Sequence, residues 1–154
     1  MKLRIVQFFS VILLVMVTGV FWGTWFTLTR SLDAFPVEEF IHNGKVIINN
    51  LATPMRIIFP LCIFFVLWTL WLTRKNNRKG FYFTLISIIS LLIALLITLL
   101  VEVPIDNQIK TWTVSTVPSN WAVIREKWGT FHGLRTFASL ASIYSYVVPI
   151  IFAE

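Results

Sequence analysis

The side chains best suited to chemistry lie between positions 101 and 136. Trp128, His132, Arg135 and Thr136 stand at i, i+4, i+7 and i+8, the spacing that places residues on one face of a helix. An imidazole can exchange a proton near neutral pH, and a guanidinium can stabilise a developing negative charge. This spacing therefore predicts a single polar site that contains an imidazole and a guanidinium.

Polar side chains about thirty positions earlier are the expected partners of this face. Glu102 and Asp106 follow an apolar run, Asn107 comes next, and Pro104 makes an undistorted helix through both acids unfavourable. If the later face turns inward, His132 would lie opposite Asp106 and Asn107. Ionisable groups at membrane depth are costly unless they are paired, so we expect a joint site.

A purely structural interpretation of the same residues stays open. Arg135 could pair with Glu102 or Asp106 only to tie two helices together. Trp121 and Trp128 could be anchors at the membrane interface, where amphipathic rings prefer to lie.

The composition indicates that these residues belong to a membrane protein. The chain has 154 residues, of which 57% are hydrophobic and 13% charged, outside the usual range of a soluble domain. Its net charge of +6 does not indicate a nucleic-acid binder, because the basic residues lie beside apolar runs. The single cysteine, Cys62, lies inside an apolar run and can form no internal disulfide.

The apolar runs predict an all-α fold, a four-span transmembrane helix bundle in one membrane domain. The first run is longer than an ordinary signal-peptide core, and no small-x-small cleavage site follows it. A short amphipathic helix is predicted in the first outer connection, beginning near Pro36 with Glu38 and Glu39 in its first turn. Pro54 either stops this helix or begins the next. The predicted spans are 5–27, 54–73, 81–101 and 134–153.

The charge distribution predicts the orientation. Lys2 and Arg4 precede the first span, and the turn at 74–79 carries four basic residues. Connection 28–56 has three basic and three acidic residues, and connection 102–135 has four and three. The positive-inside bias therefore places both termini in the cytoplasm, and we expect an integral protein of a bacterial cytoplasmic membrane.

Two glycines in the first span predict a close helix contact. Gly19 and Gly23 form a Gly-x-x-x-Gly pair, which lets another helix approach. Packing inside the chain's own bundle is the favoured interpretation. A homo-oligomer joined through this pair is the alternative.

The order of motifs around the third and fourth spans resembles a known family. Glu-Val-Pro-Ile-Asp-Asn-Gln-Ile (102–109), then Trp121 and Trp128, then Phe-His-Gly-Leu-Arg-Thr (131–136), is similar to the small four-helix membrane proteins related to anthrone oxygenase. That family carries an Asn-x-Pro-x-Asn-like segment, so this chain departs from it at Glu102 and Asp106. The segment 40–56, with Gly44, Asn50, Pro54 and Met55, is also similar to the family's first connection.

The resemblance implies a cofactor-independent oxygenase acting on a lipophilic, acidic aromatic substrate such as an anthrone. His132 would be the base, oriented by Asp106, while Arg135 and Asn107 stabilise the enolate oxygen. The substrate-binding residues expected around them are Trp121, Trp128, Glu102, His42 and Asn50.

Two other functions compete with the oxygenase. The first is a non-catalytic membrane module that binds a lipid, a quinone-like molecule or a partner protein. The second is metal-dependent redox chemistry, suggested by the i, i+3 pair Glu39 and His42. Because no second copy of that pair is present in the sequence, we predict no metal.

Overall fold

The computed structural model describes residues 1–75 and 77–152. Residues 76, 153 and 154, the first in the predicted basic turn and the others at the end of the chain, lie outside the described residues. The elements in chain order are α1 (Lys2–Thr27), a 3₁₀ helix (Thr29–Ala34), α2 (Val37–Thr73), α3 (Arg78–Ile97), a π-helical turn (Thr98–Glu102), α4 (Val103–Thr111) and α5 (Trp121–Ile151).

The all-α bundle predicted from the sequence is confirmed. Within the described ranges, four helical segments are long and apolar enough to cross a membrane, as expected of an integral membrane protein. Large apolar side chains such as Phe64, Trp71 and Leu100 are exposed on the outside of the bundle. In a bilayer these side chains would face lipid rather than water.

Interhelical contacts show that α1, α2, α3 and α5 alternate in direction. Near one end, the Thr69 hydroxyl on α2 lies 2.7 Å from the Tyr146 hydroxyl on α5 and 3.3 Å from the Ser10 hydroxyl on α1. Near the other end, the ring of Phe21 on α1 packs against Phe59 on α2. The apolar core between these levels includes Leu14, Val17, Cys62, Val66, Ile88, Leu91 and Ala94.

A second apolar cluster covers the end of the bundle near Phe21, which we call the capped end. It consists of buried residues from the 3₁₀ helix, α2, α4, the following loop and α5: Leu32, Phe40, Ile41, Ile48, Ile105, Ile109, Trp112 and Trp128. This cluster separates the polar groups inside the bundle from the surface of that end. Which end faces the cytoplasm stays a prediction.

The predicted short amphipathic helix is not a separate element. It begins where expected, after Pro36 and with Glu38 and Glu39 in its first turn, but α2 then continues to Thr73 with Pro54 and Pro60 inside it. The prediction that Pro54 is a helix boundary, as the end of this helix or the start of the next, is therefore wrong. A proline can be accommodated in a membrane helix because neighbouring groups satisfy the backbone carbonyl that it leaves free.

The predicted distortion near Pro104 is present, and its form is specific. The chain stays helical from α3 into α4, but the turn Thr98–Glu102 is π-helical, and the Val103 amide donates to the Thr98 carbonyl. Pro104 is the second residue of α4 and follows this wider turn directly. The wider turn carries the chain from the third span to Thr111, beyond the predicted end at 101.

The two glycines of α1 do not pack inside the bundle, so the favoured interpretation of this pair is wrong. A side-chain carbon added at Gly19 or Gly23 would have nothing within 4 Å. The pair thus lies on an open surface of α1, and association of two copies through it stays a prediction.

Gly44, unlike the two glycines of α1, is buried, and it provides a test of the packing at the capped end. A side-chain carbon at Gly44 on α2 would lie 3.2 Å from a methyl group of Ile109 on α4. Gly44→Leu is therefore expected to lower the free energy of unfolding by about 1–3 kcal/mol, the usual cost of overpacking. Thermal unfolding followed by circular dichroism in detergent micelles measures it.

Gly19→Leu is the matched control, since the added side chain meets open space. It is expected to leave stability unchanged or to raise it by up to about 1 kcal/mol, because leucine favours a helix more than glycine does. Equal stability of the two variants would contradict the packing of α2 on α4.

Candidate functional site

The first turns of α5 carry the predicted face into the bundle. Trp128, His132 and Thr136 are buried, and Arg135 has only 11% of its side chain exposed. Gly133 lies beside His132, and a side-chain carbon there would be 3.1 Å from Trp25 Nε1 on α1. The missing side chain lets α1 approach this part of α5 closely.

Glu102 faces this part of α5 from the end of the π-helical turn. Its side chain is fully buried, and its Oε2 lies 3.0 Å from Arg135 Nη2 and 3.7 Å from His132 Nδ1. Glu102, His132 and Arg135 therefore form one buried cluster, which we call the niche. A guanidinium at this distance from a buried carboxylate forms an ion pair that offsets part of the cost of burying both charges.

The guanidinium of Arg135 also contacts His132, Thr98 and Phe21 around the niche. Its Nη2 donates to His132 Nδ1 at 2.6 Å, and its Nη1 lies 3.4 Å from the Thr98 hydroxyl. Its central carbon lies 4.6 Å from the centroid of the Phe21 ring, in a cation–π contact. The fork of Arg135 thus links α1, the π-helical turn and α5 at one point.

His132 is held by a backbone carbonyl rather than by a carboxylate. Its Nε2 lies 3.2 Å from the carbonyl oxygen of Phe21. The Thr136 hydroxyl also reaches that oxygen, at 3.3 Å, and donates to the His132 carbonyl at 2.7 Å. The expectation that Asp106 orients His132 is therefore wrong, since Phe21 makes that contact.

Asp106 acts one layer further out, on a tryptophan. Trp128 Nε1 donates to Asp106 Oδ1 at 3.1 Å, and the Trp128 ring stacks on the His132 ring with centroids 5.4 Å apart. Trp128 therefore covers the niche on the side of the capped end. Asp106 fixes the plane of this indole.

The other predicted site residues lie outside the niche. Asn107 is exposed on α4, and His42 and Asn50 are exposed on α2. Trp121 packs against the apolar cluster at the capped end. Its ring lies 6.0 Å from that of Phe40 and beneath the guanidinium of Arg125. The structure therefore does not place these four residues beside the reacting group, where the sequence predicted them.

His42 and Glu39 line a different feature, an open cleft of about 570 Å³ at the capped end. Lys45 and Trp112 also line it, and the Lys45 ammonium group donates to the Trp112 carbonyl at 2.6 Å. Within residues 1–75 and 77–152, no three histidine, cysteine or acidic side chains come close enough to hold one metal ion. The convergence that a metal centre at Glu39 and His42 would need is thus not found among them.

Two members of the site were not predicted from the sequence, Phe21 and Thr98. Thr98 stands four residues before Glu102 in an otherwise apolar run, a spacing that could have indicated a shared helix face. Phe21 contributes a backbone oxygen, and a carbonyl leaves no trace in the type of side chain.

In the niche, Glu102 and Arg135 both keep polar atoms that form no hydrogen bond within the described residues. Both oxygens of Glu102 and Nε of Arg135 are buried without a hydrogen-bond partner in the described part of the chain. Although Glu102 Oε2 and Arg135 Nη2 are close enough to attract each other, their contact lacks the alignment of a hydrogen bond. The niche can therefore offer an acceptor and a donor to a third group.

Comparison with known families settles the lineage of the chain. The sequence model described as anthrone oxygenase matches residues 49–144, more than half of the 154 residues. The chain belongs to the anthrone oxygenase family. The stretch matched to the family contains Glu102, His132 and Arg135, so it includes all three side chains that define the niche. No curated protein and no solved structure matches the chain.

Proposed function

We propose that this chain is a membrane-embedded, cofactor-independent oxygenase that acts on a lipophilic, anthrone-type aromatic substrate. Membership of the anthrone oxygenase family supports an oxygenase-like function. The apolar exterior of the bundle suits a substrate that partitions into lipid. The reaction would take place in the niche, beneath Trp128.

One observation carries the proposal, the unsatisfied hydrogen-bonding capacity of the niche. A buried polar atom without a partner costs about 1–3 kcal/mol, so a purely structural ion pair would be expected to satisfy its atoms. Glu102 and Arg135 instead keep three such atoms within the described residues. A substrate with an acidic C–H and a carbonyl oxygen matches these atoms, because the C–H complements the Glu102 oxygens and the carbonyl oxygen complements Arg135 Nε.

The reaction needs only an acid–base group and an anion stabiliser, because the substrate supplies the electrons. Removal of a proton from the ring methylene leaves an electron pair that delocalises to the carbonyl oxygen as an enolate. One electron passes to dioxygen, and the resulting radical and superoxide combine into a peroxide at the same carbon. Protonation and loss of water then give the quinone, so one methylene and one O₂ become one carbonyl and one H₂O.

The positions of the side chains suggest how the niche would favour this sequence. Arg135 carries the positive charge next to which an enolate would be stabilised, in a place shielded from water. The Trp128 ring stacks on His132 and the Phe21 ring lies against the guanidinium of Arg135, so aromatic side chains border the niche. Glu102 and His132 are the two groups able to receive a proton.

Oxygen consumption by the purified protein tests the proposal. With an anthrone as substrate and no added cofactor, we expect one O₂ consumed per quinone formed, faster than in detergent without protein. Labelling with ¹⁸O₂ should place one labelled atom in the quinone and the other in water, as mass spectrometry would show. Uptake no faster than the uncatalysed reaction, across several substituted anthrones, would contradict the proposal.

The closure of the niche favours a second candidate, a non-catalytic module that binds a lipid or a quinone-like molecule. Glu102 is fully buried and Trp128 is only 4% exposed, so a ligand that enters from the capped end must displace Trp128 to reach Glu102. A binding module would show saturable quenching of tryptophan fluorescence by a quinone while oxygen uptake stays at background. An oxygenase would show both.

A further inference from the structure

The hydrogen bonds of His132 bear on which group takes the proton. A carbonyl oxygen only accepts hydrogen bonds, so His132 Nε2, at 3.2 Å from Phe21 O, must carry the hydrogen. An arginine only donates, so His132 Nδ1, at 2.6 Å from Arg135 Nη2, must accept. The imidazole is then neutral with both nitrogens engaged, and its one basic lone pair already faces a cation.

The Glu102 carboxylate is in the opposite situation. Both oxygens are buried and neither accepts a hydrogen bond within the described residues. An ionised carboxylate has about four lone-pair positions, and here the nearest cation, Arg135, occupies only one side of Oε2. Glu102 therefore has free acceptor positions inside the niche, whereas His132 has none.

The balance of charge in the niche gives the same answer. Transfer of a proton from a neutral substrate to Glu102 leaves a neutral acid and an enolate, so Arg135 still faces a single anion. Transfer to His132 would create an imidazolium next to the guanidinium, and the niche would then hold two cations and two anions. Each additional buried charge is costly in a medium of low dielectric constant.

We propose that Glu102, rather than His132, is the group that accepts the substrate's proton, an inference that rests on the proposed oxygenase function. The C–H bond breaks, an O–H bond forms on Glu102, and the electron pair moves to the substrate oxygen, next to Arg135. Nε of Arg135, which has no partner in the described structure, is the donor available to that oxygen. His132 is a positioning residue that holds the guanidinium through its Nδ1.

Proton abstraction can be observed separately from oxidation. Under nitrogen and in D₂O, the protein should catalyse exchange of the anthrone methylene hydrogens, followed by NMR or mass spectrometry and corrected for exchange without protein. Glu102→Gln keeps the size of the side chain but loses the base, so its exchange rate is expected to fall about 10²–10⁴-fold, the usual range for a general base. Oxygen uptake should fall by the same factor.

His132→Gln is the comparison variant. Its amide nitrogen can still donate to Phe21 O, and only the acceptor for Arg135 is displaced. Exchange is expected to fall by no more than about tenfold, the scale of one lost hydrogen bond. Loss of exchange in His132→Gln together with wild-type exchange in Glu102→Gln would overturn the inference and return the base to His132.

The design separates the two proposals and allows for misfolding. Wild-type protein that neither exchanges the methylene nor consumes oxygen contradicts the oxygenase itself. Wild-type protein that does both, with Glu102→Gln unchanged, contradicts only the role of Glu102. If Glu102→Gln does not fold, Glu102→Asp decides: it moves the carboxylate back by one methylene, and exchange should fall about 10²-fold, whereas an unchanged rate would overturn the inference.

Discussion

Replacing Arg135 by leucine is expected to lower the free energy of unfolding by about 3–5 kcal/mol, the cost of leaving a buried charge without its partner. Glu102 is fully buried and Arg135 is its nearest cation, at 3.0 Å. Leucine removes that cation while it retains an apolar side chain on α5. Thermal unfolding in detergent micelles, followed by circular dichroism, would measure the loss.

A second substitution shows whether the ion pair is the cause. Replacing a buried ion pair as a whole by apolar residues is often neutral or stabilising. The double variant Arg135→Leu with Glu102→Leu is therefore expected to be more stable than Arg135→Leu alone. If both variants are equally unstable, the loss comes instead from the contacts of Arg135 with Phe21 and Thr98.

The inward face of α5 could be predicted because helical periodicity is a local property. Trp128, His132, Arg135 and Thr136 stand at positions that any α-helix places on one side, and the helix covers all four. An inward direction followed because unpaired charges are costly at membrane depth. The sequence alone was therefore enough to place an imidazole and a guanidinium together inside a membrane bundle.

The acid that joins them could not be chosen from the sequence. Pro104 indicated a distortion, but its form decides which acid turns inward. The π-helical turn Thr98–Glu102 directs Glu102 into the bundle, while Asp106, one turn later on α4, reaches only Trp128. If the helix had broken at Pro104 instead, either Glu102 or Asp106 could have faced the interior of the bundle.

Pro54 illustrates a second limit of prediction from sequence. A proline inside a helix of a water-soluble protein removes a backbone hydrogen bond and usually ends or kinks the helix. In a membrane helix, where neighbouring groups can satisfy the free carbonyl, the same residue is tolerated. The continuous α2 thus follows from tertiary packing, which a single sequence does not display.

The conservative substitution Arg135→Lys is expected to separate charge from geometry. Lysine keeps the positive charge beside Glu102, so the folded bundle should persist. It loses the planar fork that spans His132 Nδ1, Glu102 and the Thr98 hydroxyl, and with it the Nε–H donor proposed for the enolate oxygen. Turnover of an anthrone should fall about 10²–10³-fold, as when one donor to a developing oxyanion is removed.

Arg74→Lys is the matched control, because Arg74 follows α2 at the opposite end of the bundle and stacks on Trp71. Its turnover should equal that of the wild type. Measurements of kcat and KM for both variants sharpen the test, since loss of a donor that acts only on the enolate lowers kcat, whereas loss of one that binds the neutral substrate equally well raises KM. An Arg135→Lys protein with wild-type kcat would show that positive charge alone, without the guanidinium geometry, is sufficient in the niche.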